Sequence, residues 1–273
     1  DMQTYGATGW PSSSYNSSKQ MIRIMTGVKD AVIGGIHYSY RSIRHTKYAQ
    51  NFTTYVLKKN GDFMTCGYNG HGQRGTGDNT SSNEYSRTTT GVDRFKVNYG
   101  HNTGTVYALK GTTLYSWGYN GYGQTGYSIN SNVFSSSNPN VTQTITNVRD
   151  FWCTDGDDYG SSFVAKNDGT FYVAGYNGYG QLGTGNTTDV NQGYQSVSLP
   201  TSPKGLTSSQ IVNNIVDLKT ASQYSTYILY KDSDGKGKLL VSGYNRYGQL
   251  GLADKESRNT FQHVVRGPND IKE

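Results

Sequence analysis

The sequence predicts an all-β protein, a β-propeller of four-stranded blades. Three observations predict it. The string Gly-Tyr-Asn-x-x-Gly-Gln-x-Gly occurs four times, from Gly67, Gly118, Gly175 and Gly243. Each copy follows two β-rich runs joined by a polar turn, and each of these hairpins follows a short apolar run. A unit of about 50–70 residues made of strands and turns suits one blade, which must stack on neighbours to bury its faces.

Composition sets the frame. Of 273 residues, 33% are hydrophobic and 16% charged, with 35 Gly and 24 Tyr. That is too aromatic for charge-rich disorder. No apolar run approaches the ~18–20 residues of a membrane helix, so no membrane insertion is expected. The net charge is +6, but Lys and Arg are spread along the chain, and no specific nucleic-acid binding is expected. Cys66 and Cys153 lie far apart, outside any CxxC pair, and read as two small buried thiols rather than zinc or redox ligands.

In chain order, residues 1–27 read as the tail of a preceding blade, and 28–91 as the first full unit, opening at Val28. Its hairpin, TYVLKKNGDFMTC, turns at Asn60-Gly61, one of the strongest short hairpin signals. Unit 92–147 carries the hairpin VYALKGTTLYSW. Unit 148–214 carries SFVAKNDGTFYVA, with the same kind of signal at Asp168-Gly169. Unit 215–270 carries TYILYKDSDGKGKLLVS, and 271–273 reads as the start of a further blade. On this reading the chain is an interior piece of a longer polypeptide, four blades with partial units at both ends.

The repeated loop reads as structural. Gly67, Gly118, Gly175 and Gly243 supply a positive φ or a close backbone approach. Asn69, Asn120, Asn177 and Asn245 can bond nearby backbone. Gln73, Gln124, Gln181 and Gln249 carry both donors and acceptors for loop groups hidden from water. Tyr68, Tyr119, Tyr176 and Tyr244 are expected to fill space between blades, with their hydroxyls on polar partners.

The hairpin and loop together resemble the repeat of the regulator-of-chromosome-condensation family, which ends in Trp-Gly-x-Asn-x-x-Gly-Gln-Leu-Gly. Trp117-Gly118-Tyr119-Asn120 matches its first half, and Gln181-Leu182-Gly183 and Gln249-Leu250-Gly251 match its end. Cys66, Ala174 and Ser242 replace the Trp, and Arg74 and Thr125 replace the Leu. The resemblance covers roughly residues 28–267 and implies a seven-bladed ring.

Other motifs carry no chemistry. Three loops satisfy GxGxxG, but no helical pattern follows them as a dinucleotide site requires. Asp232 and Asp234, and Asp155 and Asp157, faintly resemble calcium loops without the further ligands. The five His lack metal-ligand spacing. No cofactor, no metal and no catalytic residue is expected.

One segment departs from the repeat. The first unit is about 12 residues longer than the others between its start and its hairpin, and the extra stretch is HYSYRSIRHTKY, residues 37–48. Tyr38, Tyr40, Arg41, Arg44, His45, Lys47 and Tyr48 make it the candidate binding site, because insertions in a repeat map to loops and Tyr and Arg are favoured interface anchors. The composition, rich in Tyr, Asn, Gly, Ser and Thr, points to a non-enzymatic binding or structural module, virion-borne (phage tail- or fibre-like) or extracellular. Its partners would be a protein or glycan receptor or neighbouring subunits, homo-oligomers included. The alternative, implied by the family resemblance, is an intracellular regulator in cytoplasm or nucleus, such as a guanine-nucleotide exchange factor or a chromatin-binding propeller.

Overall fold

A computed structural model describes residues 2–4, 22–34, 37–41, 46–50, 52–99, 104–127, 142–154, 159–221 and 224–264. Strands β1 (Met2–Thr4) and β2 (Ile22–Met25) form a two-stranded pair, all that is described of residues 1–26 apart from the turn after β2. Next comes β3 (Val28–Gly34), then the hairpin of β4 (His37–Arg41) and β5 (Thr46–Gln50), then β6 (Thr53–Lys58), β7 (Phe63–Gly67) and β8 (Ser82–Thr89). Strands β3, β6, β7 and β8 make the first four-stranded antiparallel sheet. The second holds β9 (Arg94–Tyr99), β10 (Gly104–Lys110), β11 (Thr113–Gly118) and β12 (Thr142–Ile145). The third holds β13 (Val148–Cys153), β14 (Ser161–Lys166), β15 (Phe171–Gly175) and β16 (Val190–Val197). Helix α1 (Ser208–Asn213) leads to the fourth: β17 (Ile215–Ala221), β18 (Ser225–Lys231), β19 (Gly237–Gly243) and β20 (Arg258–His263). The chain is all-β, with four four-stranded blades in sequence order. Residues 271–273 lie outside the described residues.

Each blade is an antiparallel meander, and in blade 1 the β4–β5 hairpin is inserted between its first and second strands. In three of the four first strands an aspartate sits at a bulge. Asp30, Asp150 and Asp217 each accept a 2.8 Å bond from the next residue's N–H, satisfying a donor that the bulge removes from the ladder.

The core lies between blades. The middle strands are buried on both faces; Tyr55, Val56 and Leu57 are each 1% exposed. Phe63 of blade 1 meets Trp117 edge-on at 5.7 Å and Phe95 at 4.8 Å, both from blade 2. Tyr107, Leu109 and Leu114 of blade 2 pack with Phe151 and Val164 of blade 3. Phe163, Phe171 and Val173 of blade 3 pack with Ile228, Leu240 and Phe261 of blade 4. Burying each such side chain contributes about 1.5–3 kcal/mol, so stacking is the main source of stability. Cations add cross-links: Lys29 Nζ donates to Asp93 O at 2.5 Å, Arg94 to Asp150 at 2.7 Å, and Arg149 to Asn213 O at 3.0 Å.

Helix α1 spans only six residues and depends on its cap. Thr207 and Gln210 form a reciprocal capping box, and the helix buries Ile211 and Val212 against blades 3 and 4. Thr207→Ala is expected to lower the urea-unfolding free energy by about 1 kcal/mol, as for other N-cap losses.

Candidate interaction surface

The repeated loop follows the third strand of every blade. Its first glycine turns the chain back across the second strand with φ of +110°, +94°, +109° and +102° in the four copies. The N–H of the next tyrosine then bonds a carbonyl before or at the start of that second strand: Phe52, Gly104, Gly160 and Tyr224. The asparagine side chain fills the loop's middle. Asn Oδ1 accepts from the N–H five residues on in all four copies: Arg74 (2.8 Å), Thr125 (3.0 Å), Leu182 (2.9 Å) and Leu250 (2.8 Å). Asn177 Nδ2 reaches Thr184 Oγ1 at 2.9 Å and the carbonyls of Asn186 and Thr188 at 3.0 Å. The glutamine Oε1 accepts from the fifth residue's N–H, at 2.8–3.0 Å for Gln73, Gln124, Gln181 and Gln249. Asn69, Asn177 and Asn245 are fully buried, Asn120 half-buried, and Gln73, Gln124 and Gln181 buried. Backbone and side chains thus lock the loop from inside.

What the loop displays is aromatic. The fifth position holds His71, Tyr122, Tyr179 and Tyr247, and the second position holds the four tyrosines. Across each blade boundary the two meet edge-to-face. His71 lies 5.2 Å from Tyr119, Tyr122 lies 5.4 Å from Tyr176, and Tyr179 lies 5.1 Å from Tyr244, at interplanar angles of 74°, 73° and 73°. Tyr159 joins at 4.8 Å from Tyr176, and Tyr224 at 4.6 Å from Tyr179. A belt of tyrosines therefore runs over blades 2, 3 and 4 along the loop edge. The fourth position is glycine in three copies because the second-position hydroxyl folds over it. A Cβ on Gly70, Gly121 or Gly178 would lie 2.0, 2.2 or 2.2 Å from that oxygen. Arg246 takes this place in the fourth copy. The fifth position stands as a variable residue in the motif, although it is aromatic in every copy; that ring was the available signal for the belt.

The insert is a separate hairpin. In β4 and β5, Tyr38 stands opposite Ala49, Ser39 opposite Tyr48, Tyr40 opposite Lys47 and Arg41 opposite Thr46. Arg44 and His45 lie outside the described residues. The tyrosine belt is formed by residues other than these, so the candidate residues of the insert and the belt are two distinct places in the chain.

The acidic loops divide. Lys204 pairs with Asp234 at 2.5 Å, and this hydrogen bond holds the Asp234 carboxyl below its ordinary range. Asp232 Oδ1 accepts from Ser202 Oγ at 3.3 Å and Ser233 N at 2.9 Å. Asp155 and Asp157 lie outside the described residues. Among the described residues no three His, Cys, Asp or Glu converge as a metal site, and no helix is long and apolar enough to cross a membrane. Cys66 and Cys153 form no disulfide and are half-buried, less enclosed than two buried thiols would be. The first strands of the blades surround a cavity of about 240 Å³ lined by Val32, Lys96, Tyr99, Trp152, Cys153 and Lys219.

Tyrosine also sets the alkaline limit. Burial pushes Tyr85 up to about 12, and burial with the nearby Asp232 charge pushes Tyr230 up to about 12. Burial raises Tyr55, Tyr107 and Tyr194 too. These hydroxyls stay protonated in the folded chain while the unfolded chain ionises near 10. Their contribution is complete below pH 10 and is lost as pH climbs from 10 through 12. Alkaline titration followed by tyrosinate absorbance is expected to show one cooperative step above pH 10, coincident with loss of near-ultraviolet circular dichroism.

Four stacked meander blades, joined by one locked loop per blade, define a repeat β-propeller. A family model described as the regulator of chromosome condensation (RCC1) repeat matches residues 168–228. The fold is thus that of a β-propeller, and residues 168–228 are similar to the regulator-of-chromosome-condensation repeat. A human relative, the X-linked retinitis pigmentosa GTPase regulator, is 34% identical over 110 residues, 40% of this chain and 9% of the relative. The fold resembles human WBSCR16 (TM-score 0.57, 18% identity, 81% of this chain and 52% of that one). It also resembles yeast RCC1 (Prp20) crystallised with Kap60 (TM-score 0.54, 14% identity, 78% and 47%). A third structure is Prp20p of Saccharomyces cerevisiae, described with its binding to Gsp1p and histones (TM-score 0.53, 16% identity, 78% and 48%). The chain spans about half the length of these solved structures.

Proposed function

We propose that this chain is a non-enzymatic, protein-binding propeller of the intracellular regulatory kind, which holds its partner across the tyrosine belt. The belt carries the reading. Rings with polar tips, fixed by a locked loop, give a large contact area at low entropic cost, the chemistry favoured in protein recognition. The names of similar proteins support the regulatory side, since one is a GTPase regulator and another is described with Gsp1p and histones. The virion or extracellular reading, and with it a glycan receptor, rested on composition. Part of the Gly, Asn and Tyr excess has a structural origin in four copies of one loop, and the similar proteins lend that reading no support.

The test is calorimetric binding to purified small GTPases, core histones and an importin-type receptor, with wild type and a Tyr122→Ser/Tyr179→Ser variant. At least one binds, and the variant weakens it by about tenfold or more, that is ~1.4 kcal/mol. Binding to none of them overturns the regulatory reading; binding that the variant leaves unchanged overturns the belt as the contact surface.

A further inference from the structure

Asparagine followed by glycine occurs four times in the chain, at Asn60, Asn69, Asn120 and Asn177. The pair has its own chemistry. The glycine nitrogen can attack the carboxamide carbon of the asparagine, because glycine has no Cβ to block the approach. The fold gives the four pairs different surroundings.

Three of them belong to the repeated loop, and their carboxamides are held at both ends. Asn69 is fully buried, with Oδ1 accepting from Arg74 N at 2.8 Å and Nδ2 donating to Asp78 O at 2.7 Å. Asn177 is fully buried as well, with Oδ1 on Leu182 N and Nδ2 on Thr184 Oγ1. Asn120 is half-buried and more weakly held, its Nδ2 lying 3.4 Å from Tyr127 O. None of the three can turn towards its own backbone without opening the loop.

Asn60 stands at the exposed tip of the β6–β7 hairpin. Its carboxamide bonds stay within the turn: Oδ1 accepts from Asp62 N at 3.1 Å, and Nδ2 donates to Asp62 Oδ2 at 2.9 Å. Gly61 N donates to Lys58 O at 3.0 Å. Bonds at an exposed tip are readily exchanged for bonds to water, so the geometry of attack is reached by opening the tip alone. The β14–β15 hairpin makes the contrast. It turns in the same way, with Gly169 N on Lys166 O at 3.1 Å and Thr170 N on Asp168 Oδ1 at 3.0 Å. Its side chain is a carboxyl, which the hydrogen bonds from Thr170 hold below its ordinary range. At neutral pH it is therefore a carboxylate, a poor acceptor for a nucleophile.

We propose that Asn60 is a site of spontaneous deamidation and isoaspartate formation, the one Asn-Gly pair of this chain that the native fold leaves open to it. Gly61 N gives its proton to water and attacks Asn60 Cγ. The new C–N bond closes a succinimide ring as the Cγ–Nδ2 bond breaks, and Nδ2 takes up a proton and leaves as ammonia. Water then opens the ring at either carbonyl. One opening gives aspartate; the other routes the main chain through Cγ and gives isoaspartate.

Both products act on the boundary between blades 1 and 2. Asp62 accepts from Asn60 Nδ2 and lies 3.7 Å from Arg87. An aspartate at 60 withdraws that donor and sets a second negative charge beside Asp62. Blade 3 holds Thr170 at the matching place, and its hydroxyl donates to Asp168 instead. Isoaspartate adds one main-chain carbon just before Gly61, whose carbonyl accepts from Val92 N at 3.0 Å, the entry to blade 2.

The test is ageing of the intact chain at neutral pH and body temperature. It is followed by peptide mapping and by methyl labelling with an isoaspartate methyltransferase and S-adenosylmethionine. Label and the amide-to-acid mass increase are expected to grow at Asn60 faster than at the other three sites by about tenfold or more, the factor that a loop-opening cost of ~1.4 kcal/mol imposes. In the urea-unfolded chain this order is expected to vanish; an order that persists there comes from sequence and overturns the structural reading. Asn60→Gln, which must close a larger and slower-forming ring, is expected to lose the label with unchanged circular dichroism. The labelled fraction is expected to unfold at a lower urea concentration than unaged chain, and an equal midpoint would remove the effect on the boundary. A folded chain that gains no label at Asn60, or gains it as fast at Asn69 or Asn177, overturns the proposal.

Discussion

Gly118→Ala is expected to lower the unfolding free energy by about 3 kcal/mol or more, a large fraction of a typical domain's stability. Two costs add. At φ of +94° an alanine pays about 1–2 kcal/mol for the left-handed region. Its Cβ would also sit 2.0 Å from Gly104 O. That oxygen is held by Tyr119 N at 2.9 Å and cannot retreat without giving up the bond that closes the loop. Gly185→Ala separates the two costs, because φ there is +86° with open space around the site. It should cost only the conformational part, about 1–2 kcal/mol. Urea unfolding of both variants gives the comparison, and equal losses would contradict it.

The second large effect is Asn177→Ala, expected to cost about 3–5 kcal/mol. Asn177 is fully buried, and its removal strands Leu182 N with the acceptors at Thr184, Asn186 and Thr188. Each buried group left unsatisfied costs about 1–3 kcal/mol, part of it recovered by relaxation. Asn177→Asp keeps the acceptor for Leu182 N but turns a carboxylate towards oxygen acceptors, so it should destabilise as well. A stable Asp variant in chemical denaturation would show that the Nδ2 bonds matter little.

The architecture was legible because its signals are local. Asn60-Gly61 and Asp168-Gly169 mark the turns of the β6–β7 and β14–β15 hairpins. The run Tyr55-Val56-Leu57 reads as continuously apolar because both faces of that strand meet other side chains. Helix α1 was not legible from periodicity, since six residues hold fewer than two turns, although its capping box is spelled in Thr207-Ser-Ser-Gln210. The aspartate bulges were hidden for another reason: Asp30, Asp150 and Asp217 look like surface charges until the register shift gives each a donor to satisfy.

The candidate surface was less legible. The asparagines and glutamines of the motif bond within their own loops, and their spacing says so. The belt is made across blade boundaries, between residues 48 to 65 apart in sequence, such as His71 with Tyr119 and Tyr179 with Tyr244. No local pattern announces such a contact. The insert drew attention because it breaks the repeat, whereas the belt lies within the repeat and was absorbed into it.

The central claim is that a glycine-rich loop, mobile by composition, is a rigid joint that fixes the aromatic belt. Amide hydrogen exchange tests it most directly at the four N–H groups bonded to the buried carboxamides: Arg74, Thr125, Leu182 and Leu250. The account predicts that the first three exchange as slowly as the central strands of their blades, opening only with the blade itself. Exchange at these amides as fast as in an open surface loop would contradict it.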